Sequence, residues 1–245
     1  MKIPKPLSYK HQHFLNNSEI LKKQIKIAQL KKSDKVIEIG AGDGRLSKLI
    51  APKVKQLTSF ETDTRFKPLL KNLKNTKFIF DNAIKYSWKN HNKIVANIPY
   101  SLSEQIILKS IKEEIKELTL IIGENFRKNI KENSSNIAIL TNIFYTFFPI
   151  QKISKKEFSP QPKINSHLIQ LKRKSNPLLQ NIFTRKGKIK NAILYSLVQK
   201  GQTKNEAREI IQKLNIKKEI LENSTRTLNG KFLLELKNSL KELDS

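Results

Sequence analysis

The sequence contains no cysteine, which excludes disulfide bonds and every metal site built on thiolates. Its four histidines are scattered without metal-ligand spacing, so zinc is not expected either. No run approaches the roughly 18 apolar residues that would mark a membrane-spanning helix. The first ten residues lack the apolar stretch of a signal peptide. A soluble, cytoplasmic, metal-free and monomeric protein is the expectation. Acidic residues are scarce as well: 21 Asp and Glu stand against 48 Lys and Arg, a net charge of +27. Such an imbalance speaks to partners rather than to fold, and polyanionic nucleic acid leads the candidates. Compositional bias toward Lys, Asn and Ile accounts for part of it.

What is present is a regular alternation. At 245 residues the chain fits one large domain and a small one. Strand-like runs fall at Lys35 to Ile39, Gln56 to Phe60, Lys77 to Phe80, Lys93 to Ala96 and Leu118 to Ile122. Helical patterns lie between them near Arg45 to Ile50, Thr64 to Lys74 and Ser103 to Lys116, after a first helix capped by Asn17 or Ser18. Ser101-x-x-Glu104 reads as a capping box for the helix at Ser103. Asn136 to Phe148 reads as helix running into strand, and Ile164 to Leu171 as a late strand. This order predicts a largely parallel sheet covered by helices on both faces. The cluster Lys172 to Pro177 breaks the pattern, with Asn176 and Pro177 suited to start a helix. Only short helices follow, one of them with a capping box at Thr203-x-x-Glu206. The boundary is therefore placed between a domain at 1–174 and an all-helical one at 175–245.

Three strand ends carry groups that suit a nucleoside-like ligand. Glu38-Ile39-Gly40-Ala41-Gly42-Asp43-Gly44 follows one strand and opens a helix, so Gly40 and Gly42 let a ligand press against backbone at the carboxyl edge of the sheet. The spacing is Gly-x-Gly-x-Gly and not the dinucleotide fingerprint, which suits S-adenosylmethionine, a ligand without phosphate. Glu61 ends the next strand, where a carboxylate accepts ribose hydroxyls. Asp81 ends the third and is placed to accept an adenine amino group. Each feature alone reads more readily as a tight connection or a surface charge; together they fall where such sheets bind ligands.

The fourth strand ends in Asn97-Ile98-Pro99-Tyr100. The exocyclic amine of adenine is a poor nucleophile because its lone pair is delocalised into the ring. The Asn97 side-chain oxygen and a backbone carbonyl near Ile98 supply acceptors for its two protons. Pro99 holds the turn open, and Tyr100 offers a flat surface to the base. Read alone, the same four residues also fit an ordinary strand-ending turn with a core tyrosine. Methyl transfer to such an amine is an in-line displacement driven by positioning and polarising acceptors, with no general base required.

Taken together, these motifs resemble those of the ribosomal RNA adenine N6-dimethyltransferases, and the likeness runs nearly end to end. The resemblance implies a Rossmann-like class I S-adenosylmethionine-dependent methyltransferase sheet, an α/β fold with a small all-α carboxyl-terminal domain. His11-Gln12-His13-Phe14-Leu15 is similar to the family's Gly-Gln-Asn/His-Phe-Leu element, which implies that His13 and Leu15 touch the cofactor; His11 stands in the glycine slot. Gly40, Glu61, Asp81 and Asn97 match family cofactor positions. Phe80-Asp81-Asn82-Ala83 keeps only the Asp of the usual Gly-Asp-Ala. Glu124 to Lys128 is a loose match to a family helix. Phe158-Ser159-Pro160-Gln161-Pro162-Lys163-Ile164-Asn165-Ser166 resembles the Phe-x-Pro-x-Pro-Lys-Val-x-Ser loop, whose Phe lines the target-base pocket opposite the Tyr; by itself it reads as a proline-stiffened surface connection.

Arg185-Lys186-Gly187-Lys188-Ile189-Lys190-Asn191-Ala192 resembles a basic run of the small-subunit rRNA enzymes, which implies phosphate contacts by Arg185, Lys186, Lys188 and Lys190. The implied activity is N6,N6-dimethylation of adenosine in small-subunit rRNA during subunit biogenesis. The alternatives are a large-subunit rRNA methyltransferase of the macrolide-resistance type and an rRNA-binding assembly or transcription factor without turnover. A DNA adenine methyltransferase is disfavoured by Ile98 and the Phe158 loop.

Overall fold

The computed structural model describes residues 4, 12–70, 73–214 and 216–243, the last four of these as backbone only. Its nine strands are β1 (Phe14–Leu15), β2 (Lys35–Ile39), β3 (Gln56–Phe60), β4 (Thr76–Ile79), β5 (Lys93–Asn97), β6 (Glu117–Gly123), β7 (Tyr145–Ile153), β8 (Phe158–Ser159) and β9 (Ser166–Arg173). Helices α1 (Ser18–Ala28), α2 (Arg45–Ile50), α3 (Ser103–Lys112), α4 (Glu124–Glu132) and α5 (Asn136–Phe144) are interleaved with them. The carboxyl-terminal part is helical: α6 (Pro177–Thr184), α7 (Ile189–Gln199), α8 (Lys204–Lys213), α9 (Lys218–Glu222) and α10 (Gly230–Leu243).

Seven strands form one sheet in the order β4-β3-β2-β5-β6-β9-β7, and β1 pairs with β8 in a separate two-stranded ladder. The run from β4 to β6 is parallel; β9 is antiparallel to β6, and β7 to β9. Because β2 pairs with β3 on one side and β5 on the other, the strand order reverses between β2 and β5. The carboxyl ends of those two strands therefore open a crevice at a topological switch point, where such sheets bind ligands.

Alternate residues serve opposite faces. Val36, Val95 and Ile121 pack with Ile20, Leu21 and Ile25 of α1. Ile37, Ile94 and Ile122 pack toward Ile106 of α3, Phe126 of α4 and Phe144 of α5. This second cluster continues without a break into Leu179, Ile193, Leu233 and Leu236. The carboxyl-terminal helices thus share the core of the sheet. Arg173, at the junction, spans both parts: its guanidinium lies over the rings of Phe144 and Tyr145 and donates to the Ile111 carbonyl and to Gln180.

A buried lysine anchors α1. Lys93, on β5, is 6 % exposed and donates to the carbonyls of Ala28 and Gln29 at the end of the helix, each at 3.0 Å. Asp34 and Glu117 lie 3.4 and 3.2 Å from its ammonium. The charge is compensated on every side, which is the condition for burying it.

Two local expectations are corrected. Between Thr64 and Leu70 the chain forms a 3₁₀ turn at Thr64–Phe66, capped by Asp63, and then turns, not an α-helix. Pro68 has no N–H to continue the ladder, and Phe66 and Leu70 are instead buried against Ala41. Ser101 does not cap α3: Tyr100–Leu102 is a 3₁₀ turn running directly into the helix, whose cap position Leu102 has no side-chain acceptor. Asn17, Asn176 and the Thr203–Glu206 capping box do act as caps.

Candidate active site

A cavity of about 360 Å³ opens at the switch point. It is lined by His13, Leu15, Gly40, Gly42, Glu61, Asp81, Asn97, Ile98, Pro99, Tyr100 and Phe158. Every residue singled out for catalysis or cofactor contact is therefore brought to one place. Arg185, Lys186, Lys188 and Lys190 lie apart from it, on the connection between α6 and α7 and at the start of α7. His11 lies outside the described residues.

The glycine turn is shaped by its backbone. Gly40 has φ +82° and Gly42 φ +54°, both left-handed, and a Cβ on Gly42 would stand 2.7 Å from Phe14 Cε1. The Gly42 N–H donates to Glu61 Oε2 and the Asp63 N–H to Glu61 Oε1, each at 2.8 Å. Glu61 thus fixes the turn from the next strand and keeps lone pairs for further donors. Asp81 sits at the rim. It accepts from the Asn82 N–H at 2.7 Å, from Lys85 at 2.8 Å and from the Tyr86 hydroxyl at 3.3 Å. Its pKa is lowered, first by the Lys85 hydrogen bond and then by the Asn82 N–H.

Beneath the turn lies Glu38, fully buried. Ser47 and Ser59 donate to its Oε2 at 2.5 and 2.6 Å, while Oε1 has no partner among the described residues. Burial pushes its pKa up to about 7; the two hydroxyls oppose the rise and the nearby Glu61 and Asp43 add to it.

The amino-terminal strand closes one wall. Phe14 and Leu15 pair with Ser159 and Phe158, Arg45 donates to the Leu15 carbonyl at 2.7 Å, and Arg45 is itself held by Asp43 at 2.5 Å. His13 Nδ1 is 2.7 Å from the Pro160 carbonyl, so that nitrogen carries the proton. Apart from the Arg45–Asp43 pair, these ties escaped the sequence reading because they join segments remote in the chain.

The target side is built around Asn97 and Tyr100. Asn97 Oδ1 is buried and has no hydrogen-bond partner among the described residues. A buried acceptor left unpaired costs about 1–3 kcal/mol, which an incoming donor recovers. The Tyr100 ring is nearly parallel to His13, with centroids 6.3 Å apart and planes 19° apart. Its hydroxyl bonds Ser166 Oγ at 2.6 Å, and its ring rests on Gly123, where a Cβ would come within 3.2 Å of Tyr100 Cγ. Phe158, 6 % exposed, reaches the cavity from the cluster of Leu15, Ile121, Ile153 and Leu168. The ring that faces Tyr100 most directly is His13 rather than Phe158.

This arrangement has recognisable relatives. The model of one family, ribosomal RNA adenine dimethylase, matches residues 7–231. The chain belongs to the ribosomal RNA adenine dimethylase family. It is a methyltransferase of that family, an enzyme acting on ribosomal RNA adenine. A probable ribosomal RNA small subunit methyltransferase A of Methanococcus maripaludis is 31% identical over 241 residues, 88% of this chain and 91% of that protein. The ribosomal RNA small subunit methyltransferase A of Borreliella burgdorferi is 28% identical, over 94% of this chain and 86% of its own length. In fold, the chain is similar to a dimethyladenosine transferase from Plasmodium falciparum, with TM-score 0.64 and 24% identity, over 94% of this chain and 98% of that one. The 23S rRNA methyltransferase ErmE has TM-score 0.63 and 18% identity, over 93% of this chain and 99% of its own. Both structures support the Rossmann-like methyltransferase fold. No helix among the described residues is long and apolar enough to cross a membrane, and no described cluster of His, Asp and Glu is arranged to hold a metal ion.

Proposed function

We propose that the chain transfers methyl groups from S-adenosyl-L-methionine to N6 of adenosine in small-subunit ribosomal RNA, twice per base, as a step in subunit biogenesis. The observation that carries the reading is the buried Oδ1 of Asn97, unpaired among the described residues, in a cavity shared with the Gly40–Gly42 turn and Tyr100. When bound, S-adenosylmethionine supplies an electrophilic methyl carbon on a sulfonium. Leu15, Gly40 and Gly42 form the close-fitting wall for it, Glu61 accepts ribose hydroxyls, and Asp81 accepts the amino group of the cofactor's adenine. Asn97 Oδ1 and the carbonyl near Ile98 accept the protons of the target amine and favour its pyramidal, nucleophilic form. Tyr100 covers one face of the target base, with Phe158 and His13 completing the walls. The target has to be unpaired or extruded, since its amine is otherwise out of reach.

The 1–174 segment carries this chemistry, and 175–245 contributes affinity for the rRNA. Arg185, Lys186 and Lys190 are exposed cations for phosphate, whereas the Lys188 ammonium is 2.7 Å from Glu222 and contributes less. Relatives named for the small subunit favour that substrate. The deciding experiment incubates the protein and labelled cofactor with immature small subunits, large subunits and naked rRNA, then maps the modified base. Dimethyladenosine in small-subunit rRNA is the expected product; label confined to large subunits would overturn the assignment.

A further inference from the structure

A second cavity, of about 630 Å³, lies away from the active site, in the groove between α6 and α7. Its lining includes the apolar Pro177, Leu178 and Leu179 together with the amide-bearing Asn181 and Gln199. Lys200 and Lys237 border it, and no carboxylate is among its lining residues that are described. Cations crowd here: the pKa of Lys174 is lowered by burial and by the neighbouring Lys237 ammonium.

The same groove carries a second feature. Arg185 lies over the ring of Tyr195 with its guanidinium carbon 3.7 Å from the centroid, and Tyr195 is 39 % exposed. Asn181 and Gln199 share the cavity while Arg185 reaches Tyr195, so the two helices run antiparallel. Four residues separate the features on each helix, a distance of about 6 Å along the axes. That is close to the step between consecutive nucleotides of an unstacked strand.

We propose that this groove binds two consecutive unpaired nucleotides of the rRNA substrate, one base seated in the cavity and its neighbour stacked on the outer face of Arg185. The inference rests on the reading that the chain acts on rRNA. Each part of the site matches one part of the ligand: apolar lining and guanidinium plane for base faces, amides for base edges, the Lys237 ammonium for phosphate. A duplex cannot use it, because its base faces are already covered by their neighbours.

The test measures binding of a short unstructured oligoribonucleotide, and of the same strand annealed in a duplex, by fluorescence anisotropy at physiological salt. Tyr195→Ala combined with Asn181→Ala should weaken the single strand about tenfold and the duplex less than about twofold, with Tyr195→Phe retaining near wild-type affinity. On immature subunits the double variant should raise KM with kcat changed less than about twofold. Equal losses for single strand and duplex, or no loss for either, would overturn the proposal. The binding assay contains no cofactor and reads no methylation. A wild-type protein that methylates no rRNA would therefore refute the functional reading, while the binding ratio alone decides the groove.

Discussion

Asn97 presents an acceptor without a donor among the described residues, and its removal isolates the polarising contribution. Asn97→Ala should lower kcat by about 10²–10³-fold with the Kd for S-adenosylmethionine changed only slightly. Turnover near wild type, followed by transfer of labelled methyl, would exclude that role. Glu61→Ala should raise the cofactor Kd about tenfold or more, measured by calorimetry, since charge-assisted hydrogen bonds are the strong ones and the variant also frees the Gly42 and Asp63 N–H groups. Glu38 makes a prediction about pH. Its folded pKa, about 7, is raised above the ordinary 4.5, so folding favours the protonated form. The stabilisation is complete below pH 4.5 and is lost as pH rises through about 7, a change of about 3 kcal/mol. Glu38→Gln should flatten the pH dependence of the thermal midpoint across that window; parallel wild-type and variant profiles would remove Glu38 as its source.

At the scale of elements, strands β2 and β3 match the expected runs end for end, because Val36, Ile37 and Ile39 and then Leu57, Thr58 and Phe60 lie in short runs of aliphatic, β-branched and aromatic residues bounded by turns. The helix expected over Thr64 to Lys74 does not form across its described part, Thr64 to Leu70, because Pro68 interrupts the ladder and Phe66 is drawn under the glycine turn. The Ser101 cap was a correct local signal overridden by its neighbour, since Pro99 commits the chain to a 3₁₀ turn before Ser101 is reached. The four strand-end motifs were legible because side chains at the carboxyl edge of a parallel sheet meet whatever the rest of the chain does. The β1–β8 ladder, the Tyr100–Ser166 bond and the burial of Glu38 and Lys93 were not, because each depends on partners far away in sequence. Lys93→Met illustrates the last case. It strips the cation from Asp34, Glu117 and two carbonyls at the end of α1, and should cost about 3–5 kcal/mol in denaturant unfolding. A loss under about 1 kcal/mol would show that α1 docks on its apolar face alone.

For the molecule as a whole, the charge of +27 sets how RNA affinity responds to salt. Replacing both Lys186 and Lys190 with Gln should reduce the slope of log K against log salt by about 0.7–0.9 per lost phosphate contact. Lys188→Gln should reduce it less, because Glu222 already neutralises that ammonium. An unaltered slope in the double variant would return the segment to ordinary surface. The ladder of β1 on β8 has a different consequence, one of timing. His13 and the Pro160 carbonyl that anchors it are 147 residues apart. The glycine turn, Glu61, Asp81 and Asn97 are all synthesised well before the strand that fastens the amino-terminal wall across them. A nascent chain therefore holds an open crevice until that late segment leaves the ribosome, and only then can the methyl donor be enclosed.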